Sequence, residues 1–184
     1  MPDPDTRAAK AWTFLALGEG RQFAGNTGYD DLPSRYYRYD STVPNHARVC
    51  ARDLAVVRDS DGALGMGWIF AVDESDGEKV RRRCPLCGTT ALKARIEKRP
   101  RFRCDAGHEF ESPREEMLQV VCYRAAYGES WRSLRGLVTA AMLAPFYVSG
   151  AQQHAIRELR IEEFGAALKQ LPVPIPDDWW DGLL

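Results

Sequence analysis

The sequence has no long hydrophobic run and no recognisable catalytic motif. No apolar stretch approaches the ~20 residues that a membrane-spanning helix needs, so we expect no membrane partner. The start of the chain, MPDPDTR, is acidic and proline-containing, unlike a secretory signal peptide. The GxSxG, HExxH and phosphate-binding-loop patterns are absent, which argues against the hydrolase and nucleotidase classes that carry them.

Cysteine is scarce, with five residues in 184, but its spacing is specific. Two cysteines lie in the motif CPLCG, and a third lies in the motif CDAGH together with a histidine. Thiolate and imidazole are the ligands that a structural Zn²⁺ prefers, and four of them complete a tetrahedron. The motifs therefore predict a Cys3His zinc site formed by Cys84, Cys87, Cys104 and His108.

The sequence leaves alternatives open at this site. Asp105 or Cys122 can replace His108 as the fourth ligand, and a disulfide pair or free thiols can replace the metal site altogether. Cysteines in metal-ligand spacing fit a reducing compartment, so we expect a cytoplasmic protein. We expect Cys50 and Cys122 to be small apolar residues of the core.

The segment between the two motifs, GTTALKARIEKRPRFR, alternates and carries β-forming residues, which predicts a β-hairpin. Pro85 restrains the first cysteine turn, and Gly88 permits the left-handed backbone that aims both sulfurs at one point. Hairpin and ligands together predict a zinc ribbon. We expect it to be an insertion at residues 80–112 within a larger domain.

Basic charge is concentrated in the same stretch. Residues 79–103 carry ten basic side chains against one acid, Glu97, whereas the whole chain has a net charge of −1 and the remainder is therefore at −10. A basic hairpin on an acidic body suits a polyanion, most commonly a phosphate backbone. The alternative is a solvated face around a structural metal. Our candidates for contact with the DNA backbone are Arg35, Arg38, Lys93, Arg95, Lys98, Arg99 and Arg101.

Apolar patterning predicts four strands followed by two helices in a domain of residues 10–171. The predicted strands cover residues 11–17, 53–59, 63–72 and 115–127, and the predicted helices cover residues 130–143 and 151–171, the latter with a break near Arg160. Gly65 and Gly67 lie on one face of the third strand, which indicates a bend or the close approach of a flat group. We expect residues 1–9 to be disordered and residues 172–184 to be a linker or truncated tail.

This order predicts an α+β fold, a small curved sheet or open barrel with packed helices and the inserted ribbon. A long irregular segment is predicted at residues 21–45, and loops of this length are usually functional or disordered. It combines tyrosines, which offer a flat face for stacking, with arginines, which contact phosphate. The aromatic candidates are Tyr29, Tyr36, Tyr37 and Tyr39, with Trp68 from the third strand; the alternative for each is a place in the core.

The run RYYRYDSTVPNHARVCARDLAVVRDSDGALGMGWI, followed by RCPLCG and FRCDAGHEF, resembles the N-terminal module of bacterial restriction endonucleases that end in an HNH nuclease. That module is similar to the EVE domain, of the PUA-like group that includes the YTH and SRA readers. The match covers residues 29–131. Where the family has a Gly-Asp pair at the second strand, this chain has Arg52-Asp53, so its turn must form without glycine. The resemblance implies a PUA-like curved β-barrel.

The resemblance also implies a reader of modified DNA that flips 5-methylcytosine or 5-hydroxymethylcytosine into an aromatic pocket. Flipping costs a few kcal/mol, and stacking on an aromatic side chain returns ~1–3 kcal/mol. Asn45 can both donate to and accept from the Watson–Crick edge. The implied pocket residues are Tyr36, Tyr37, Tyr39, Asp40, Ser41, Asn45, His46 and Trp68. Alternatively, Asp40 and Ser41 cap a turn and His46 is a buried, hydrogen-bonded histidine.

The nuclease of that family is not expected in this chain. A ββα-metal nuclease needs a histidine base with further ligands close by in sequence, and His46, His108 and His154 stand in unrelated segments. We therefore predict no catalysis, with modified double-stranded DNA as partner and a C-terminal HNH nuclease domain in the full-length bacterial protein. The alternatives are an RNA-binding PUA-like module, which would depend on the 2′-hydroxyl, and a protein-interaction module docking through Trp179 and Trp180.

Overall fold

The computed structural model describes residues 7–16, 32–151, 154–171 and 175, and these form two compact units. Described residues 7–16, 32–74 and 122–175 belong to the first unit, and residues 75–121 belong to the second. The fold is mostly sheet, with open sheets and two short α-helices in the described ranges, so the α+β part of the prediction is confirmed and the PUA-like barrel stays a prediction. No helix among these residues is both long enough and apolar enough to cross a membrane.

Eleven strands and two α-helices are formed by the described residues. In chain order they are β1 (Ala11–Leu15), β2 (Tyr36–Asp40), β3 (Leu54–Arg58), β4 (Ala63–Trp68), β5 (Ala71–Arg83), β6 (Leu92–Ala94), β7 (Phe102–Cys104), β8 (Glu109–Phe110), β9 (Arg114–Ala126), β10 (Arg132–Ser133), α1 (Ala140–Leu143), β11 (Ile156–Leu159) and α2 (Ile161–Leu168). They make three sheets, with strand orders β10-β4-β3-β1-β11, β2-β9-β5 and β6-β7-β8.

The five-stranded sheet is the centre of the first unit. Its strands β1 and β3 pair in parallel, with Ala11 opposite Leu54, and the remaining pairs are antiparallel. One face packs against the α1 and α2 segments through a cluster that includes Leu143 and Phe164. The opposite face packs against β2 and the end of β9 through a cluster that includes Tyr39. Because both faces are covered, β1 and β3 are apolar along their length rather than alternating.

Asp53 is a fully buried carboxylate directly before β3. One oxygen accepts from the backbone N–H of Lys10 at 2.9 Å and pairs with Arg7. The other accepts from the indole N–H of Trp12 at 2.8 Å and from the backbone N–H of Cys50 at 2.9 Å. A buried charge is tolerated only when it is paired and hydrogen-bonded. Asp53 therefore ties the segment before β1, β1 itself and the turn before β3 to one another.

The turn before β3 forms without glycine, as the sequence predicts. Arg52 adopts a φ of 71°, in the left-handed region, and its backbone N–H donates to the carbonyl of Ile69 at 2.7 Å. A left-handed conformation costs a side-chain-bearing residue roughly 1–2 kcal/mol. The neighbouring hydrogen bonds of Asp53 offset that cost.

The predicted helix at residues 130–143 is wrong for most of its length. β10 pairs with β4, Gly136 has a φ of 76°, and only the four residues of α1 are α-helical. Leu134 and Val138 are buried as the helical spacing required, but from a non-helical backbone. Packing on the sheet therefore overrides the local helical preference.

The predicted helix at residues 151–171 is half correct. β11 pairs with β1 along the edge of the sheet and buries Ile156 and Leu159, so the first half is a strand. α2 begins directly after Arg160, at the predicted break, and buries Phe164 and Leu168. β-branched Ile156 suits the strand, whereas the later residues keep helical spacing.

The other element predictions are largely confirmed. The strands at residues 11–17, 53–59 and 115–127 are present as β1, β3 and β9, and the one at residues 63–72 is divided between β4 and the start of β5. The irregular segment at residues 21–45 instead contains β2, which pairs with residues 122–126 of β9. Residues 1–6, 17–31, 172–174 and 176–184 lie outside the described residues, so predictions for the two termini and for Tyr29, Trp179 and Trp180 stay predictions.

The flat group expected beside the paired glycines of the third strand is an indole. A Cβ on Gly65 would lie 2.1 Å from Cζ2 of Trp131, and a Cβ on Gly67 would lie 2.7 Å from the carbonyl oxygen of Tyr127. Ser130 fixes this approach, because its hydroxyl accepts from the backbone N–H of Trp68 at 2.6 Å. Glycine at these positions lets β4 contact the segment that leads into β10.

Replacing Gly65 with alanine should destabilise the protein, because the new methyl group overlaps the indole of Trp131. Overpacking of this kind costs roughly 1–3 kcal/mol. Urea unfolding should show a lower midpoint for Gly65→Ala. The matched control is Gly150→Ala, since a Cβ at Gly150 meets nothing within 4 Å. Equal midpoints for the two variants would refute the close approach.

Candidate metal centre

The second unit contains a small three-stranded sheet that carries the predicted metal ligands. β6 pairs with β7, placing Leu92 opposite Cys104, and β7 pairs with β8, placing Phe102 opposite Phe110. The rings of Phe102 and Phe110 stack with centroids 6.0 Å apart. The buried cluster is completed by Cys84, so the core of this ribbon consists of a few apolar side chains and two cysteines.

Two turns of matching design present the ligands. In the first, the N–H of Gly88 donates to the carbonyl of Cys84 at 2.9 Å, and in the second the N–H of Gly107 donates to the carbonyl of Cys104 at 3.0 Å. Gly88 and Gly107 have φ values of 74° and 87°. Little lies near either Cα, so glycine is needed here for its backbone conformation rather than for space.

The four predicted ligands converge. The donor atoms of Cys84, Cys87, Cys104 and His108 all lie within 4.8 Å of one another. The Sγ atoms of Cys87 and Cys104 are 3.8 Å apart, and Nδ1 of His108 lies 3.4 Å from Sγ of Cys104 and 3.8 Å from Sγ of Cys84. A tetrahedron with metal–sulfur bonds of about 2.3 Å and metal–nitrogen bonds of about 2.0 Å has edges of roughly 3.8 Å and 3.6 Å. The donors therefore fit one tetrahedral metal ion, with Nδ1 as the histidine ligand.

This geometry excludes two of the alternatives left by the sequence, a disulfide and a different fourth ligand. Cys87 and Cys104 are too far apart for a disulfide, and all five cysteines have free thiols. The ligand cluster found in the described residues contains His108 and neither Asp105 nor Cys122. Cys50 and Cys122 are partly exposed rather than buried, so their predicted place in the core is wrong. Cys50 lies before the turn that leads into β3 and Cys122 lies within β9, and neither belongs to the buried core clusters.

The local electrostatics favour a thiolate at Cys84. Burial raises the pKa of Cys84, but hydrogen bonds from the backbone around Cys87 and Leu86 and from the neighbouring thiols lower it more, to about 6. For Cys87, a backbone hydrogen bond at Thr89 acts to lower the pKa, yet desolvation and the other thiols raise it overall. A thiolate is the form that binds metal, so Cys84 is the ligand prepared first.

Acidic residues that follow the hairpin neutralise much of its positive charge. Over residues 79–116 there are eleven basic and six acidic side chains, a smaller excess than residues 79–103 suggest. Glu109 pairs with Arg95 at 2.7 Å, and Glu111 pairs with Arg99 and, at 3.6 Å, with Arg101. The hydrogen bond from Arg95 holds the pKa of Glu109 below its usual value.

A second group of ion pairs joins β5 to β9 next to the ligand turn. Glu116 accepts from Arg83 at 2.8 Å and from Arg81 at 3.2 Å, and these hydrogen bonds lower its pKa. Arg83 also donates to the carbonyl of Gly88 at 2.9 Å. The arginines of β5 thus hold the base of the ribbon, which leaves the hairpin tip as its basic surface.

The tip of the hairpin keeps exposed cations around an exposed apolar residue. Residues 93–101 carry five basic side chains and one acid. Within the described chain, Lys93 and Lys98 form no ion pair. Ile96, between them, is 100 % exposed. Among the ribbon residues proposed to contact the DNA backbone, Lys93 and Lys98 therefore form no ion pair within the described chain. Arg95 pairs with Glu109, and Arg99 and Arg101 both pair with Glu111.

The tyrosines of the predicted base pocket have mostly structural surroundings. Tyr37 is 6 % and Tyr39 is 1 % exposed, and both belong to the cluster beneath the five-stranded sheet. The hydroxyl of Tyr37 donates to the carbonyl of Leu15 at 3.0 Å. Tyr39 stacks on Tyr123 with centroids 5.1 Å apart. The rings of Tyr37 and Tyr39 are both closed to solvent, and a role in base stacking stays a prediction for both residues.

The polar residues of the same motif also make internal contacts. Asp40 is fully buried, and one of its oxygens accepts from the backbone N–H of Thr42 at 2.7 Å and from the Thr42 hydroxyl, which is the turn-cap arrangement. Ser41 beside it is half-buried. Asn45 has a φ of 70°, and its side-chain amide donates to the carbonyl of Ile156 at 2.9 Å.

The remaining predicted pocket residues lie in different places. Nδ1 of His46 is 2.9 Å from the carbonyl oxygen of Val43, and the ring centroids of His46 and Tyr123 are 5.6 Å apart. Trp68 belongs to the cluster on the opposite face of the sheet from the β2 tyrosines, so the structure does not bring it together with them. Tyr36 is half-buried beneath the guanidinium of Arg38, 4.9 Å from its ring centroid. Arg35 is exposed before β2.

Tyr123 is the neighbour that sequence reasoning did not single out. It pairs with Tyr39 across β2 and β9, its ring stacks on that of Tyr39, and the ring of His46 packs against it at a tilt of 39°. Alternation along β9 was visible in the sequence, but its register against β2 was not, because β2 itself was missed. Burial and the neighbouring Tyr123 raise the pKa of Tyr39, whose hydroxyl has no hydrogen-bond partner among the described residues.

Mutation of a ligand should remove bound metal without a matching effect from other cysteines. Purified wild-type protein should contain about one metal ion per chain by elemental analysis, and Cys104→Ser should lose most of it, because three ligands bind far more weakly than four. The control is Cys50→Ser, since Cys50 lies in the first unit, outside the ligand cluster. Equal metal content in the two variants would contradict the assigned site.

Comparison with known proteins gives no relative for this chain. No protein-family model, no curated protein and no solved structure matches it.

Proposed function

We propose that this chain is a DNA-binding module that recognises a modified cytosine, either 5-methylcytosine or 5-hydroxymethylcytosine. The observation that carries the proposal is the tip of the ribbon, where Lys93 and Lys98 flank a fully exposed Ile96. A stable fold gains nothing from an isoleucine held wholly in water. Beside cations, such a residue suits a groove, because proteins that bend DNA insert apolar side chains between base steps.

Charge favours nucleic acid over a neutral partner. The tip carries an excess of positive charge although acids from β8 and the turn after it pair with three of its arginines. Each lysine placed on a phosphate releases counterions, which gives affinity and a steep dependence on salt. The second unit would thus supply sequence-independent contacts to the backbone.

The metal of the ribbon is Zn²⁺ in this proposal. Three thiolates and one imidazole form a donor set that zinc prefers, with no open position for substrate. Zinc would be structural here, because a core as small as that of this ribbon cannot order the hairpin tip alone. The role of His108 is to close the tetrahedron through Nδ1.

The first unit would read the base, with a PUA-like fold as its framework. The resemblance in the Y-D-S-x-V-x-N-H run supports this assignment. The aromatic cluster of Tyr39, Tyr123 and His46 supports it as well. Tyr123 and His46 are half-buried, and the Tyr39 hydroxyl beneath them has an unmet hydrogen bond within the described chain. A flipped base stacked on this surface would gain ~1–3 kcal/mol.

The module performs no chemistry in this proposal. Of its histidines, His108 is assigned to the metal and His46 to a hydrogen bond with Val43, and cleavage would come from a C-terminal HNH nuclease domain in a longer bacterial cytoplasmic protein. An RNA-binding module and a protein-interaction module are the alternatives, and the exposed Ile96 suits the second of these as well. Binding measurements separate the three.

Matched duplexes with cytosine, 5-methylcytosine or 5-hydroxymethylcytosine at one site should differ in affinity for the zinc-loaded chain. We expect one modified duplex to bind at least about tenfold more tightly, a difference of ~1.4 kcal/mol, because the pocket senses the 5-substituent. Fluorescence anisotropy at two salt concentrations measures this. Equal affinities with a steep salt slope would leave only backbone binding, and a preference for RNA or salt-insensitive binding would favour the alternatives.

Removing the tip cations should weaken DNA binding uniformly across these duplexes. The double variant Lys93→Ala/Lys98→Ala should lower the slope of log K against log salt by about 1.8, since each phosphate contact contributes about 0.9. The control is Arg135→Ala/Lys169→Ala, which removes two exposed cations from the first unit. An identical slope for the two double variants would show that the ribbon tip does not contact the phosphates.

A further inference from the structure

A cavity of about 470 Å³ in the first unit is lined by two arginines and is not used by the proposed DNA contacts. Arg58 comes from the end of β3 and Arg157 from β11. The segment after α1 closes one side, with Tyr147 and Ser149 among the lining residues. Cavities of 300–1,000 Å³ are the usual size of small-molecule sites.

Arg157 is held rigidly inside this cavity. It is 8 % exposed, its guanidinium carbon lies 3.3 Å from the ring centroid of Tyr147, and Nη2 donates to the carbonyl of Ser149 at 3.1 Å. Its Nε is buried and has no hydrogen-bond partner among the described residues. Burial lowers the pKa of Arg157, and the nearby charge of Arg58 acts in the same direction while Tyr147 opposes it.

Arg58, like Arg157, has a buried hydrogen-bond donor without an acceptor among the described residues. Its Nε is also buried without a hydrogen-bond partner in the described chain, and no ion pair joins Arg58 or Arg157 to an acidic residue there. Asp59 lines the cavity, but its Oδ1 accepts from the backbone N–H groups of Asp61 at 2.8 Å and Gly62 at 3.0 Å. One oxygen of that carboxylate is therefore used by the turn between β3 and β4, and within the described chain Asp59 forms no ion pair with either guanidinium.

Two guanidinium groups that line one cavity with no acidic partner among the described residues are costly. Like charges repel, and a buried donor without an acceptor loses about 1–3 kcal/mol. A protein that keeps such a pair provides a place for an anion to complete it. We propose that this cavity binds a phosphate group held by Arg58 and Arg157.

Charge and geometry select phosphate among the anions. A phosphate monoester carries about −1.5 to −2 charges at pH 7 and offers three strong acceptor oxygens, so it can accept from two guanidinium groups at once where a single carboxylate offers two oxygens. Guanidinium groups donate in a planar fork that fits phosphate oxygens. The cavity is larger than one phosphate, so the group can belong to a nucleotide or to the end of a DNA strand. Both sources share the chemistry that the arginines recognise.

Isothermal titration of the zinc-loaded chain with inorganic phosphate and with a nucleoside 5′-monophosphate tests the site at fixed ionic strength. We expect saturable binding of both, and at least tenfold weaker binding for Arg58→Gln, which keeps an unbranched polar side chain but is shorter and removes the charge. Arg135→Gln is the matched control, because Arg135 is exposed and does not line the cavity. Absence of saturable binding, or equal binding by Arg58→Gln and wild type, would overturn the proposal.

Arg157→Lys gives an independent measurement, because lysine keeps the charge but loses the planar fork. It should also weaken phosphate binding at least tenfold. Circular dichroism and metal content should match wild type, since the ribbon lies in the other unit. If Arg157→Lys does not fold, Arg58→Gln alone decides the outcome.

Two short oligonucleotides, one with a 5′-phosphate and one without, identify the source of the phosphate. Tighter binding of the phosphorylated strand by at least tenfold, lost in Arg58→Gln, would assign the cavity to a strand end. Equal binding of both strands, together with saturable binding of the monophosphate, would assign it to a free nucleotide. Either result agrees with the proposal, and neither depends on recognition of modified cytosine.

Discussion

The tetrahedral convergence of three sulfurs and one imidazole nitrogen is the constraint on which the ribbon depends. Its apolar core is limited to Phe110 and the partly buried Leu92 and Phe102, with the two buried cysteines among them. Such a core contributes too little to fix a hairpin of this length in water. A metal ion that joined the two ligand turns would supply the missing free energy and set the register of β6, β7 and β8 at the same time. The exposed tip would then be held in place by the metal, although no tip residue is a ligand.

Charge in the ribbon has two functions that the sequence alone does not separate. Arg81 and Arg83 share Glu116 and hold the base of the ribbon, whereas the tip lysines have no acidic partner in the described chain. The acids lie later in the sequence than the cations they neutralise, so a count over residues 79–103 overstates the free charge. Exposed ion pairs contribute little to stability, and they compete with phosphate for the same guanidinium groups. Lysines outside these pairs would lose no ion-pair partner on binding a polyanion, so the tip suits the proposed contact better than the arginine-rich base does.

The ribbon and the central strands could be predicted because their signals are local. The ligand spacing, the glycines after each turn and the apolar runs of β1 and β3 are properties of short segments. The segment around Trp131 could not, since its conformation depends on the space above Gly65, which belongs to another strand. The same holds for Asp53, whose partners come from three separate places in the chain. The apolar spacing at residues 130–143 predicted which side chains are buried. It did not predict the backbone conformation, which depends on packing against the five-stranded sheet.

Asp40 and Asn45 occupy their motif for structural reasons that are compatible with a role in base recognition. Asp40 fixes the turn after β2, and Asn45 uses a left-handed backbone to anchor that turn to β11. His46 follows directly and rests against Tyr123, so the polar motif determines where an aromatic surface lies. A pocket that excludes water needs such rigid support, because base discrimination by one methyl group amounts to only ~1–3 kcal/mol and is lost if the walls can shift. The motif residues are therefore better understood as the frame of a binding surface, with Tyr123 and His46 nearest to any base that occupies it.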